Sequence, residues 1–313
     1  MGKFLDEINP KLKEYYLDVD SIHSLYVVHY GNITKPVIFF LHGGPGAATD
    51  SLCSRFFNPN EFHIILFDQR GCGKSKPLGE LKRNTTKYLI EDIEFIRKHI
   101  KADKIILFGG SWGASLSLLY AIHYPLNVSY YIIRGLCLCD DEKGEVFTKS
   151  LSLMYPELWN QFIELSNKKT AVERLKHYYE EIKRKNQIFI NAWFNLEFKT
   201  LTTNPKDNKI NFTKQEKYIA SLLESHYYSN QFFIPKNYII NNTEIIKHIP
   251  GVIIHGRLDV ICNLEDSYKL SKKLPFARFE IIENAGHSYY DPLITKAMIK
   301  ETKNLIKKIK LKK

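Results

Sequence analysis

The sequence predicts an α/β fold in which a mostly parallel central sheet is flanked by helices and interrupted by a helical insertion. Short apolar runs recur along the chain, and segments of helical periodicity lie between them. This alternation is typical of parallel sheets with both faces buried. From about residue 140 to 247 the alternation stops, and aromatic, helix-periodic segments replace it. We therefore expect a core formed by residues 1–139 and 248–313, and a helical cap domain formed by residues 140–247.

The strands are predicted from their apolar character. Residues 15–30 (YYLDVDSIHSLYVVHY) alternate as an antiparallel hairpin does, whereas later runs are almost continuously apolar, as expected of strands buried on both faces. These later runs are PVIFFL (36–41), HIILF (63–67), KIILF (104–108), VSYYII (128–133), VIIH (252–255) and RFEII (278–282).

Three segments outside the insertion have helical character. Residues 84–100 form an amphipathic pattern, and an apolar helix is expected from about residue 113 until Pro125 ends it. Residues 296–313 (KAMIKETKNLIKKIKLKK) place five apolar side chains at helical spacing. They predict an amphipathic terminal helix with a solvated lysine face.

The net charge of +11 is concentrated in this terminal segment, where residues 296–313 contain eight lysines and one glutamate. Elsewhere the charges are nearly balanced, so we expect neither nucleic acid nor a membrane as a partner. The N-terminus lacks the apolar region of a secretory signal, and no apolar run is long enough to cross a bilayer. A cytoplasmic protein is therefore expected, and its oligomeric state is left open.

The cysteines and histidines give no indication of a metal or another cofactor. The five cysteines are odd in number and lack the spacing of zinc ligands, and no HExxH motif is present. We expect reduced thiols in or near the core. Cys137 and Cys139 are expected to share one face of a strand-like segment.

The segment FGGSWGASL (108–116) follows an apolar strand and leads into a helix. Strand, sharp turn and helix form the context of the G-x-S-x-G nucleophile elbow, which exposes a serine hydroxyl. Glycines at 109 and 113 avoid collisions where the strand meets the helix. Ser111 is therefore the candidate nucleophile.

A second glycine-rich turn, HGGPG (42–46), ends the strand PVIFFL. Backbone N–H groups left uncovered by side chains can bind an oxyanion. Gly43 or Gly44 would supply one donor, with Gly44 preferred, and the amide of Trp112 would supply the other.

A serine nucleophile needs a base and an acid that orients the base. His287 lies in a glycine-flanked loop after RFEII, and Asp259 follows VIIH. All three residues lie at the carboxyl ends of predicted strands, where α/β sheets place their sites. Asp140 and Asp266 remain as rival acids.

Seven motifs together resemble the proline iminopeptidase (prolyl aminopeptidase) branch of the α/β-hydrolase fold. The resemblance covers nearly the whole chain, and HGGPG combined with DQRGCGKS and GGSWG is highly specific for it. The motifs are HGGPG (42–46), FDQRGCGKS (67–75), NTT (84–86), GGSWGASL (109–116), IRG (133–135), IPGVIIHGRLDVIC (249–262) and AGHS (285–288).

The resemblance implies a serine aminopeptidase that releases N-terminal proline from small peptides. In the insertion, NAWFNLE (191–197) and ESHYY (224–228) resemble two family segments whose glutamates hold the substrate's amino terminus, which assigns that role to Glu197 and Glu224. Trp193, Tyr227 and Arg134 are further candidates for substrate binding. The chain departs from the family pattern at Leu196, at Leu258 and after Cys139.

Two alternatives to this function remain. A related α/β-hydrolase with the same triad could act on esters or other amides, and prolyl and alkanoyl substrates would distinguish it. A catalytically inactive binding protein on the same scaffold would fail to react with a fluorophosphonate.

Overall fold

A computed structural model of the protein describes residues 9–139, 149–204 and 212–311. An eight-stranded sheet forms its centre, with the spatial order β1-β2-β4-β3-β5-β6-β7-β8. The strands are β1 (Lys11–Asp18), β2 (Ser24–Gly31), β3 (Val37–Leu41), β4 (His63–Phe67), β5 (Ile105–Gly110), β6 (Val128–Arg134), β7 (Gly251–Gly256) and β8 (Ala277–Ile282).

Helices lie between the strands and in the insertion. Those outside the insertion are α1 (Thr86–His99), α2 (Trp112–His123), α10 (Leu264–Lys273) and α11 (Pro292–Leu311). Those between β6 and β7 are α3 (Lys149–Met154), α4 (Pro156–Ser166), α5 (Ala171–Lys183), α6 (Gln187–Phe198), α7 (Lys214–Ser229), α8 (Tyr238–Asn241) and α9 (Thr243–Ile246).

The sheet is mostly parallel, as predicted. The β1–β2 and β2–β4 pairs are antiparallel, and every pairing from β4 through β8 is parallel. The predicted hairpin is confirmed. β1 begins at Lys11, earlier than predicted, and its first residues were missed because they are exposed at the sheet edge and mostly charged. The parallel strands end at one edge of the sheet, where the predicted site residues follow them.

Each face of the sheet has its own apolar core. On one face, Ile93 of α1 and Leu119 of α2 pack with the side chains of the central strands. On the other face, Met298 and Leu305 of α11 do so. The terminal helix begins at Pro292, earlier than expected, and a proline is well suited to the first turn of a helix.

The helices between β6 and β7 share an aromatic cluster of their own. Tyr178 stacks on Phe162 with ring centroids 4.1 Å apart, and Trp193 packs against both rings. The cluster joins the core mainly through residues 260–262, beyond β7. On this basis we propose the division predicted from the sequence, in which 140–247 is the cap; its boundary at residue 140 lies outside the described residues.

No helix in the described ranges combines the length and the apolar character that crossing a bilayer requires.

Candidate active site

Ser111 occupies the sharp turn between β5 and α2. Its φ of 57° and ψ of −128° lie outside the regions that a non-glycine residue usually adopts. A Cβ on Gly109 would collide with the carbonyl of Gly113, and a Cβ on Gly113 would collide with the carbonyl of Leu41. Only glycines allow this close approach, which holds the serine in its strained position at the end of β5.

The HGGPG loop after β3 approaches this serine. A Cβ on Gly43 would lie 3.2 Å from Ser111 Cβ and 3.8 Å from Ser111 Oγ. The nearest neighbours of a Cβ on Gly44 would instead be the backbone nitrogens of Gly46 and Ala47, within the same turn. These contacts favour Gly43 over Gly44 as the glycine beside the hydroxyl.

Gln69 connects the HGGPG loop to the residue after the serine. Its side-chain amide donates to the carbonyl of His42 at 2.9 Å, and its side-chain carbonyl accepts from Trp112 Nε1 at 3.0 Å. The backbone N–H of Gln69 also donates to His42 Nε2 at 3.0 Å. Gln69 was not among the predicted site residues, although it lies within the DQRGCGKS motif.

His287 and Asp259 are in direct contact. His287 Nδ1 lies 2.7 Å from Asp259 Oδ2, and both side chains are buried. Burial opposes ionisation of Asp259, but the charge of His287 and hydrogen bonds from His255 and His287 hold the pKa of this carboxyl well below its usual range. An ionised Asp259 fixes the tautomer in which His287 Nδ1 carries the proton.

Asp259 has further partners that the sequence did not indicate. Its Oδ1 accepts the backbone N–H groups of Ile261 and Cys262, each at 2.9 Å. A second buried histidine, His255, places Nε2 3.3 Å from Oδ2. The sequence feature that could have indicated His255 is its position near the end of β7, four residues before Asp259.

Of the rival acids, Asp266 lies on α10 and is not the partner of His287, and Asp140 lies outside the described residues. Burial raises the pKa of Asp266 to about 7.

The loop that carries His287 is held from three sides. The guanidinium of Arg134 donates to the carbonyl of His287, while the Arg134 carbonyl accepts the N–H of Ser111 at 2.9 Å. The N–H of Gly286 donates to Asp291 at 2.9 Å, and the N–H of His287 donates to the carbonyl of Leu201 at 3.1 Å. Arg134 is only 5% exposed, so these contacts favour a positioning role for it rather than contact with substrate.

Glu224 and Glu197 form a pair on neighbouring helices. Trp193 Nε1 donates to Glu224 Oε2 at 2.7 Å. Burial, reinforced by the charge of the adjacent Glu197 and a hydrogen bond to it, raises the pKa of Glu224 well above its usual range. Glu197 is only partly buried, so the buried Glu224 is the carboxyl whose ionisation this setting opposes.

Cap residues near this pair contact the loops beside Ser111 and His287. Gly46 of the HGGPG loop packs against α7, since a Cβ there would touch Ala220 and Leu223. Leu201, which accepts from the His287 loop, follows α6 by three residues. The helices carrying Glu224 and Glu197 thus dock against the loops on either side of Ser111.

Tyr227 points away from the pair. Its hydroxyl donates to Asn84 at 2.8 Å, and its ring lies 5.4 Å from the ring of Trp112. Tyr228 is the tyrosine beside the pair, with its ring 5.8 Å from that of Trp193. Burial, and then the charge of Glu224, raise the pKa of Tyr228 well above its usual range. The contacts therefore favour Tyr227 as a support for Trp112.

Comparison with known proteins agrees with this fold. Residues 36–291 match the family model described as alpha/beta hydrolase fold. Among solved structures, an esterase from Rhodococcus sp. ECU1013 superposes with a TM-score of 0.66 at 14% identity, over 96% of this chain and 99% of the esterase. A proline iminopeptidase-related protein from Thermus thermophilus gives a TM-score of 0.62 at 18% identity, over 93% of this chain and 96% of that protein. The family match and the shared fold place this chain in the class of α/β hydrolases.

Curated relatives identify the family within the α/β hydrolases to which this chain belongs. A proline iminopeptidase of Neisseria meningitidis serogroup A is 32% identical over 311 residues, which cover 96% of this chain and 98% of that protein. A proline iminopeptidase of Arabidopsis thaliana is 33% identical over 90% of this chain and 77% of its own length. This chain belongs to the proline iminopeptidase family, and the resemblance stated from its motifs is confirmed.

Proposed function

We propose that the protein is a serine aminopeptidase that releases N-terminal proline from small peptides. The observation that carries this proposal is the Glu224–Glu197 pair, on cap helices that pack beside the loops around Ser111. Buried charge is costly unless it is matched by an opposite charge, so a site for neutral esters gains nothing from this pair. The names of the curated relatives are consistent with the same substrate.

In the proposed mechanism, Ser111 Oγ attacks the carbonyl carbon of the N-terminal proline. His287 has Nδ1 committed to Asp259, so Nε2 is the nitrogen that takes the hydroxyl proton. The ionised Asp259 stabilises the imidazolium that forms. The backbone amides of Trp112 and Gly43 are the proposed donors to the oxyanion.

The tetrahedral intermediate then collapses. His287 gives its proton to the leaving amine, the C–N bond breaks and the prolyl group remains as an ester on Ser111. Water attacks this ester with His287 again acting as base. Free proline leaves, and the serine recovers its proton.

The glutamate pair accounts for selectivity toward a free amino terminus. The proline amine is a secondary ammonium with two N–H groups, and each of the two carboxyls offers an acceptor. The positive charge of the substrate favours the ionised form of a carboxyl beside it. Trp193, whose indole N–H is bonded to Glu224, fixes the direction of that carboxyl.

Replacing Glu197 by glutamine tests this assignment. Hydrogen bonds to charged groups contribute about 1.5 to 3 kcal/mol, so we expect kcat/KM for prolyl substrates to fall by roughly 10- to 150-fold. A loss of the same size is expected for Glu224→Gln, because either substitution removes one carboxylate from the substrate ammonium. Hydrolysis of a small neutral ester, measured on the same preparations, should be nearly normal.

Glu180→Gln is the matched control, because Glu180 is exposed on the cap helix α5. It should leave both activities unchanged. Equal loss of prolyl and ester activity in Glu197→Gln would mean that the glutamates are structural. In that case, the alternative of a hydrolase for esters or other amides would take precedence.

The proposed partners are small peptides with an N-terminal proline, and the proposed compartment is the cytoplasm. All five cysteines are free thiols, which is typical of proteins in reducing compartments.

A further inference from the structure

One buried side chain, that of Gln69, connects the loops that follow three neighbouring strands. Gln69 lies two residues after β4, His42 directly follows β3, and Trp112 begins α2 just after β5. In the sheet, β3 lies between β4 and β5. The Gln69 side-chain amide donates to the carbonyl of His42 at 2.9 Å, and its side-chain carbonyl accepts from Trp112 Nε1 at 3.0 Å. Gln69 is only 2% exposed, so both bonds are shielded from water.

The bond to His42 sets the direction of the Gly43 amide. The carbonyl of His42 and the N–H of Gly43 belong to one trans peptide unit, and in a planar trans peptide these two bonds point in opposite directions. A donor held on the carbonyl therefore fixes where the N–H points. Gly43 is also the glycine beside the Ser111 hydroxyl, and its N–H is one of the two proposed donors to the oxyanion.

The backbone of Gln69 holds His42 a second time. The Gln69 N–H donates to His42 Nε2 at 3.0 Å, so Nε2 is the unprotonated nitrogen and Nδ1 carries the proton. Nδ1 donates to the carbonyl of Gly43 at 3.0 Å. Burial lowers the pKa of His42, which favours this neutral ring. The histidine thus secures the next peptide unit of the HGGPG loop.

The bond to Trp112 reaches the second proposed donor, which is the backbone N–H of that residue. The indole packs against the rings of Phe232 and Tyr227, at centroid distances of 5.5 and 5.4 Å. The Gln69 amide cannot be turned over, since its NH₂ group would then face the indole N–H and its carbonyl would face the His42 carbonyl. Gln69 therefore contacts the units that carry both donors without supplying either donor atom.

Asp68 anchors the turn from which Gln69 extends. Its Oδ1 accepts the backbone N–H and the hydroxyl of Thr49 at 2.7 and 2.8 Å, and its Oδ2 accepts the N–H of Lys74 at 2.8 Å. Thr49 follows the HGGPG loop by three residues. The turn that carries Gln69 and the chain that leaves the HGGPG loop are therefore held by one side chain.

We propose that Gln69 is a positioning residue that aligns the Gly43 and Trp112 amides as the two halves of the oxyanion hole. This inference rests on the proposed function, because it takes Ser111 as the nucleophile and these amides as the donors. Donors must lie about 2.7–3.1 Å from the oxygen that becomes charged, and a displacement of about 1 Å can cost roughly 10²-fold in rate. The charge develops in the transition state, so misalignment should lower kcat and leave KM nearly unchanged.

Gln69→Met tests this role, because methionine has a similar length and shape but no amide. We expect kcat to fall by roughly 10- to 100-fold, at or below the loss of about 10²- to 10³-fold for removing a donor outright, with KM within about 3-fold. The loss should be the same for a prolyl substrate and a small neutral ester, since both form an oxyanion. Glu197→Gln, in contrast, should spare the ester. Gln161→Met, at an exposed position on α4, is the matched control and should keep full activity.

Fluorophosphonate labelling separates slow chemistry from misfolding. The final extent of labelling counts folded sites, and its rate reports on attack by Ser111, which also places charge on an oxygen. Gln69→Met should reach the wild-type extent at a rate at least about 10-fold lower. If Gln69→Met folds poorly, Trp112→Phe, which removes the indole N–H and keeps the backbone amide, should show the same slowing.

Wild-type kcat and labelling rate in a fully labelled variant would overturn the proposal, as would a rise in KM alone or a loss confined to prolyl substrates. A wild-type enzyme that hydrolyses the ester but not prolyl amides would instead refute the proposed substrate. The loss in Gln69→Met would still be measurable on the ester, so the two failures are distinguishable.

Discussion

Replacing Ser111 by alanine is expected to reduce kcat for prolyl substrates on the order of 10⁶-fold, the scale of loss when the nucleophile of a catalytic triad is removed. The substitution deletes one oxygen and keeps the Cβ, so the backbone strain at a φ of 57° is the same in both proteins. We therefore expect thermal unfolding by circular dichroism to be close to that of the wild type.

Labelling by a fluorophosphonate provides a second readout for this variant. The wild type should form a covalent adduct at Ser111, and Ser111→Ala should form none. Ser129→Ala, which alters an exposed serine on β6, is the control and should keep full activity and labelling. Substantial cleavage by Ser111→Ala would mean that another residue attacks the substrate.

Asp259→Asn is expected to lower kcat about 10⁴-fold, as when a triad aspartate becomes an amide that stabilises the wrong histidine tautomer. Asp259 Oδ2 contacts both His287 Nδ1 and His255 Nε2. An asparagine at this position can present its NH₂ group to the histidine, which would move the ring proton to Nε2 and remove the base. KM should change much less, because the role proposed for Asp259 is to orient His287.

Asp266→Asn is the matched control for this substitution. Asp266 is the acid on α10 that the sequence left as a rival of Asp259. Its replacement should change kcat by less than about 3-fold, as expected of a residue that does not contact His287. A large loss in Asp266→Asn together with a small loss in Asp259→Asn would reverse the assignment of the acid.

The strands of the sheet could be predicted because they are buried on both faces. HIILF and KIILF have no polar positions in their interiors to obscure the signal, and β4 and β5 lie within two residues of these predictions. The order of Ser111, Asp259 and His287 along the chain could likewise be read from the turns that follow strands. The parallel sheet then brings the ends of β5, β7 and β8 to one edge.

The loop geometry could not be predicted in the same way. Choosing between Gly43 and Gly44 depends on how HGGPG folds back onto Ser111, which a glycine-rich string does not specify. The strand-like interpretation of Cys137 and Cys139 was wrong, since β6 ends at Arg134 and Cys139 has a positive φ.

Contacts between segments that are distant along the chain could not be predicted from the sequence either. Tyr227 follows Glu224 by three residues on α7, so a substrate-facing role was a reasonable prediction. Helix packing instead directs its hydroxyl to Asn84.

The aminopeptidase assignment is tested most directly by comparing kcat/KM of the wild-type enzyme for a prolyl amide and for its N-acetyl-prolyl counterpart. Acetylation removes the positive charge while the ring and the scissile bond remain. We expect a preference for the free amine of at least about 10-fold, from the loss of one charged hydrogen bond, because the blocked substrate would leave the Glu224–Glu197 pair desolvated without a cation. Equal rates for the two substrates would contradict the aminopeptidase assignment.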